Sequence, residues 1–142
     1  MKPLFLLLLL SLTVQVGFSA ERKYQKDLTT AIEVAQKEKK LIFVKYGRKE
    51  CSNCRNLEKL LNEHKVDLFD SEFILVTLDC DNPKDRKEFR KLYHDAFAEA
   101  KTLPFVVIAK SDGTLVSSVS SYQNSAEYNK LIYAAKSKVK KS

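Results

Sequence analysis

Apolar and polar positions divide the chain into alternating helical and extended stretches. Ala31, Ile32, Val34 and Ala35 recur at helical spacing, behind Asp27 or Thr29 as a capping side chain and ahead of lysines at 37, 39 and 40. The run Leu41-Ile42-Phe43-Val44-Lys45-Tyr46 is apolar, partly β-branched and bounded by Gly47, which predicts a buried strand. Leu57, Leu60 and Leu61 then mark a helix reaching about Lys65. A second strand is expected over Phe73–Leu78, closed by the turn-forming run Asp79-Cys80-Asp81-Asn82-Pro83. Residues 84–99 predict a helix with Phe89, Leu92, Tyr93 and Phe97 inward. Pro104 opens a third strand, Phe105–Ala109, and Asp112-Gly113 predicts a tight hairpin into a fourth, Thr114–Val119. Ser125 caps a last helix that gathers Tyr128, Leu131, Ile132 and Ala135 on one face.

The helix between the first two strands is long enough for a parallel crossover, and the last two strands form an antiparallel hairpin. The expected fold is α/β: one domain with a central mixed four-stranded sheet flanked by helices on both faces.

The first residues depart from this pattern. Lys2 precedes an apolar stretch from Leu4 to about Val16, and Gly17-Phe18-Ser19-Ala20 follows. A basic start, an apolar core and small residues predict an export leader over residues 1–19. Cleavage after Ser19 is favoured because it places Gly17 and Ser19 at the small-residue positions, leaving residues 20–142 as the domain. The alternative is a membrane anchor, for which the stretch is shorter than the roughly 20 residues of a span. The C-terminus, Lys140-Lys141-Ser142, carries no retention signal, so secretion or periplasmic residence is expected ahead of the endoplasmic reticulum lumen.

The formal charge of +7 is spread over several helices, and aromatic residues do not interleave with the lysines on one surface. Solvated helix faces and a basic tail are the expected meaning, not a nucleic-acid partner or, once the leader is removed, stable membrane insertion. Three cysteines are too few for a disulfide framework. They divide into a pair, Cys51 and Cys54, and a single thiol, Cys80. That thiol is read as a buried residue at a strand end, with regulatory or intermolecular pairing as the alternative.

The pair carries the chemistry. Cys51-Ser52-Asn53-Cys54 stands where a strand passes into a helix. Unpaired N–H groups and the helix dipole stabilise a thiolate at such a point, and the thiolate is the reactive species. Cys54 lies one turn further in, within reach to close a disulfide.

These features together resemble the thioredoxin superfamily over residues 24–138. The resemblance rests on Cys51-Ser52-Asn53-Cys54 after the first long strand, Leu103-Pro104 before the third, and the Asp112-Gly113 hairpin. The helix-first start looks like small exported thioredoxin-like proteins, the anterior-gradient type and bacterial periplasmic members among them. The resemblance implies a cis Pro104 beside the two sulfurs, which shields them from a bridging metal or stray thiol. It also leaves the Leu103 backbone free to pair with an extended substrate. The alternative reading of Pro104 is a trans proline starting a strand; the Cys-x-x-Cys context favours cis. The chain departs from ordinary thioredoxin at two places. Glu50 stands where a Trp usually precedes the first cysteine, and Lys45 stands where a buried acid usually lies six residues before it. Ser52-Asn53 matches neither the Gly-Pro of typical reductases nor the Gly-His or Pro-His of typical isomerases and oxidases.

The implied function is a disulfide oxidoreductase with Cys51 as nucleophile and Cys54 as resolving thiol. Glu50 and Leu103 would meet substrate, and Lys45 is a candidate proton relay to Cys54. Arg48, Lys49 and Arg55 would favour a Cys51 thiolate, with Glu50 opposing them. No cofactor is required beyond the redox-active pair. The partners would be protein or peptide disulfides and dithiols, and a redox partner that resets the pair. Two other classes compete: a binding or chaperone-like module that keeps the fold without turnover, and a zinc module built from Cys51, Cys54, Cys80 and His64. His94, like His64, is otherwise read as an ordinary helix residue.

Overall fold

A computed structural model describes residues 22–142, so the expected leader and its cleavage point lie outside the described residues. Strand β1 (Tyr24–Gln25) leads into helix α1 (Leu28–Glu38), strand β2 (Leu41–Gly47) and helix α2 (Ser52–Asn62). Strand β3 (Phe73–Asp79), helix α3 (Pro83–Ala100), the hairpin strands β4 (Phe105–Ala109) and β5 (Leu115–Ser120), and helix α4 (Ser125–Lys140) complete it. Among the described residues no helix is long and apolar enough to cross a membrane.

The sheet has five strands in the order β1-β3-β2-β4-β5, one more than expected. The extra strand is two residues long, with Tyr24 opposite Leu75 and Gln25 opposite Val76. So short a strand is held by backbone pairing and carries no periodic pattern to read. β2 lies parallel to β3 and antiparallel to β4, and β4 and β5 form the antiparallel hairpin.

Alternation along β2 divides the core into two layers. Ile42, Val44 and Tyr46 face α1 and α3, packing with Leu28, Ala31, Phe89 and Tyr93. Phe43 faces α2 and α4, packing with Leu57, Leu61, Tyr128 and Ile132. Lys45 falls on the Phe43 side, toward α2.

Helix ends follow local chemistry. Asp27 caps α1 by accepting from the Thr30 N–H at 2.7 Å. Asn124, not Ser125, caps α4, because its side-chain oxygen reaches the Glu127 N–H at 3.0 Å. α2 stops at Asn62, short of the expected Lys65. His64 turns left-handed at φ 54°, and the Lys65 and His64 N–H groups bond back to Leu60 and Leu61 at 3.0 and 3.1 Å. Tyr93 leaves helical geometry inside α3, at φ −126° and ψ 17°. Leu92 is 44 % exposed, although the helical spacing places it inward.

Candidate functional site

The site forms where β2 ends and α2 begins. Cys51 is the cap of α2, in extended geometry, and its Sγ accepts the Cys54 N–H at 3.2 Å. A sulfur thus takes the place that a Ser or Asp oxygen takes at most helix starts, over amides with no partner inside the helix. Cys51 is half-buried, while Cys54 is buried at 3 % exposure.

Gly47 makes room for Cys54. A Cβ at residue 47 would stand 2.8 Å from the Cys54 Sγ, closer than real side-chain atoms approach. Burial pushes the Cys54 thiol from its ordinary 9.0 up to about 11, and its hydrogen bond with Cys51 adds to the effect. A backbone hydrogen bond at Arg48 and the charge of Lys45 pull the other way.

Lys45 is where alternation places it. It is 6 % exposed, and its Nζ lies 3.6 Å from a carboxylate oxygen of Glu58. Glu58 stands four residues after Cys54 on α2, on the same helix face. Lys45, Gly47, Cys54, Glu58 and Thr77 line one cavity of about 440 Å³. Sequence reasoning missed Glu58 and the contact of Gly47 with Cys54. The Cys54-to-Glu58 spacing, opposite a strand lysine directed at that helix, is the signal that could have found the acid.

The Leu103–Pro104 peptide bond is cis, as the resemblance implies. Tyr46 pairs with Phe105, the last pair of the antiparallel ladder, so Pro104 precedes β4 at the end of β2 that carries Gly47. Pro104 is buried and Leu103 half-buried. Leu103 stands outside the strand pairing, which starts at Phe105. Glu50 is exposed in the turn before Cys51.

The cations expected around Cys51 are partly committed elsewhere. Arg48 donates through Nε to the Cys80 Sγ at 3.3 Å and pairs with Asp81 at 3.4 Å. Arg55 donates to the Lys49 carbonyl at 3.2 Å. Cys80 is buried as expected but packs with Tyr46 and Phe89, on the sheet face opposite α2. His64 is exposed beyond the far end of α2, about 15 Å along the helix from Cys54 at 1.5 Å per residue. The four residues of the zinc reading are therefore not brought together. His94 is exposed on α3.

A profile described as thioredoxin-like matches residues 23–111. This chain belongs to the thioredoxin-like family. Three solved structures share the thioredoxin-like fold. A candidate disulphide-isomerase from Bacteroides thetaiotaomicron is 19% identical, covers 81% of this chain and 93% of its own, and gives a TM-score of 0.64. Poplar thioredoxin h is 22% identical, with 75% and 85% covered and a TM-score of 0.53. Chloroplastic thioredoxin z is 19% identical, with 83% and 98% covered and a TM-score of 0.55. No curated protein matches the sequence.

Proposed function

We propose that this thioredoxin-like protein is an exported thiol–disulfide oxidoreductase. The observation that carries the reading is the asymmetry of the pair: a half-buried Cys51 sulfur at the cap of α2, and a buried Cys54 one turn inside. The leader-like start supports export, into an extracellular or periplasmic space.

The cycle has two exchanges. Cys51 thiolate attacks one sulfur of a substrate disulfide; that S–S bond breaks, a mixed disulfide forms, and the other substrate sulfur leaves as a thiolate and is protonated. Cys54 then loses its proton and attacks the Cys51 sulfur. The Cys51–Cys54 disulfide forms as the second substrate sulfur leaves, so the substrate gains two electrons and the pair loses two. Run backwards, the same steps oxidise a dithiol. A partner dithiol or disulfide resets the pair. Leu103 offers unpaired backbone to an extended substrate, with Glu50 at the mouth of the site.

The proton on Cys54 is the obstacle, since its thiol is pushed up to about 11. Lys45 favours the thiolate, and Glu58, held at the same cavity by Lys45, is the acceptor. The acid that relatives carry on the strand is replaced here by a lysine on the strand and an acid on the helix. A Lys45→Met variant should resolve the mixed disulfide about three- to tenfold more slowly at neutral pH, with attack by Cys51 less affected. Rapid-quench separation of the two steps checks this. Equal slowing of both, or of neither, would remove Lys45 from the relay.

The function is tested by titrating the pair against glutathione in a Cys80→Ser background. A potential near about −270 mV identifies a reductase, and one toward about −120 mV an oxidant. If no reversible exchange occurs, the oxidoreductase reading fails and a binding module takes its place.

A further inference from the structure

A second cavity, of about 240 Å³, opens on the sheet face opposite Cys54. Four cations line it, Arg48, Arg86, Arg90 and Lys101, against one acid, Asp81. Arg86 and Arg90 are four residues apart on α3 and share a face. Lys101 is the left-handed cap that ends the same helix. Only Arg48 is paired with the acid. Among the described residues Arg86, Arg90 and Lys101 have no ion-pair partner. Arg86 spends one N–H on the Cys80 carbonyl at 3.4 Å.

A neutral donor stands beside these cations. Tyr46 also lines this cavity: the residue is only 2 % exposed, but its hydroxyl stays accessible and has no hydrogen-bond partner among the described residues. Its ring is fixed by stacking on Phe89 at 3.8 Å, and burial keeps the phenol protonated. A neutral O–H donor on a fixed ring, beside several cations with no acidic partner, suits an acceptor that carries negative charge.

The position of the cavity says what would bring that acceptor. Leu103, the residue before cis Pro104, forms part of its wall. Arg48 lines both this cavity and the one under Cys54. A substrate laid along the Leu103 edge with its disulfide at Cys51 therefore passes the cationic cavity.

We propose that this cavity receives a carboxylate carried by the disulfide substrate close to its reacting cysteine. The inference rests on the oxidoreductase reading and adds a substrate class to it. The carboxylate can belong to an acidic residue of a polypeptide or to a small organic disulfide, and the experiment separates the two sources.

Two disulfide-linked peptides, identical except for Glu or Gln near the cysteine, are compared as substrates of the full chain and of an Arg86→Gln/Arg90→Gln variant. The unaltered protein should prefer the Glu peptide about tenfold in kcat/KM. The preference should shrink as salt rises from about 0.05 M to about 0.5 M. The double variant should bring the ratio close to one, the loss falling on the Glu peptide. Dithiodipropionate, set against neutral hydroxyethyl disulfide, forms the second arm. Loss in both arms assigns the cavity to carboxylates on any disulfide, and loss in one arm assigns it to that source. No preference in the unaltered protein, or a preference that survives the double substitution, overturns the proposal. Failure of the redox reading shows separately, as no turnover of any disulfide. In that case a cysteine-free acidic peptide still tests the cavity through the Nε signals of Arg86 and Arg90. Shifts with the Glu peptide but not the Gln peptide support it, and no shifts reject it.

Discussion

A Cys54→Ser variant should lose steady-state turnover by at least about a thousandfold while still reacting once with substrate. Serine cannot displace a sulfur from the Cys51 mixed disulfide, so each chain should end covalently bound to one substrate molecule. The fold should tolerate the change, because the smaller hydroxyl occupies the space that Gly47 leaves for the Cys54 sulfur. Cys51→Ser separates the roles: it too should be inactive, but with no adduct. Intact mass spectrometry with Cys80 also replaced reads both results. Turnover retained in Cys54→Ser, or an adduct in Cys51→Ser, would reverse or abolish the assignment.

The same thiol sets a pH dependence. Burial holds Cys54 protonated up to about 11, against an ordinary 9.0. The reactive fraction of Cys54 in the mixed disulfide therefore rises with pH through the neutral and mildly alkaline range. Release of reduced substrate should accelerate in step, by up to about tenfold per unit. The stability of the reduced protein moves the other way. The contribution linked to a raised thiol is fully present below about 9 and is lost as pH climbs toward 11.

Alternation in 41–46 and the apolar runs at 73–78 and 105–109 made the three central strands readable, because a buried sheet demands such patterns. The same alternation placed Lys45 on the α2 side. The cysteine pair and the cis Pro104 were legible because both are tied to short motifs. The strand at Tyr24–Gln25 was not, since backbone groups alone make its pairing. Leu92 was misplaced because it flanks the buried arc of α3: Phe89 and Tyr93 are buried, and Leu92 is 44 % exposed. Arg48 shows a different barrier. It was expected to serve Cys51, but Cys80 follows β3, whose last residue pairs with Gly47, and the Cys80 N–H bonds the Gly47 carbonyl at 2.8 Å. That backbone link carries Cys80 and Asp81 next to Arg48, and no local spacing announces it. The cavity bounded by Arg48, Arg86 and Arg90 likewise exists only once the end of β3 is laid against α3.

Phe89→Ala should be the most destabilising single core substitution near the site, at about 3 to 5 kcal/mol. Phe89 is fully buried, lies flat on Tyr46 at 3.8 Å and 2°, and meets Phe97 and Phe105 edge-on at 5.9 and 6.0 Å. Removing it opens a void that these stiff rings cannot close by turning, since each is fixed by its other neighbours. For a domain of this size the melting point should fall by about 10 to 20 °C. Urea unfolding at constant slope measures the loss directly, and Phe89→Leu, which refills much of the space, should cost less than half as much. A loss under about 1 kcal/mol would mean that the aromatic cluster repacks and is not the anchor described. The effect should also reach the chemistry. Tyr46 lies between Lys45 and Gly47 on β2, so one strand end holds the lysine proposed as a relay, the cavity hydroxyl and the gap for Cys54. Loosening the Tyr46 ring in a Phe89→Leu protein that still folds should therefore reduce the preference for an acidic substrate before it reduces attack by Cys51, which is held from the other side of the sheet by α2.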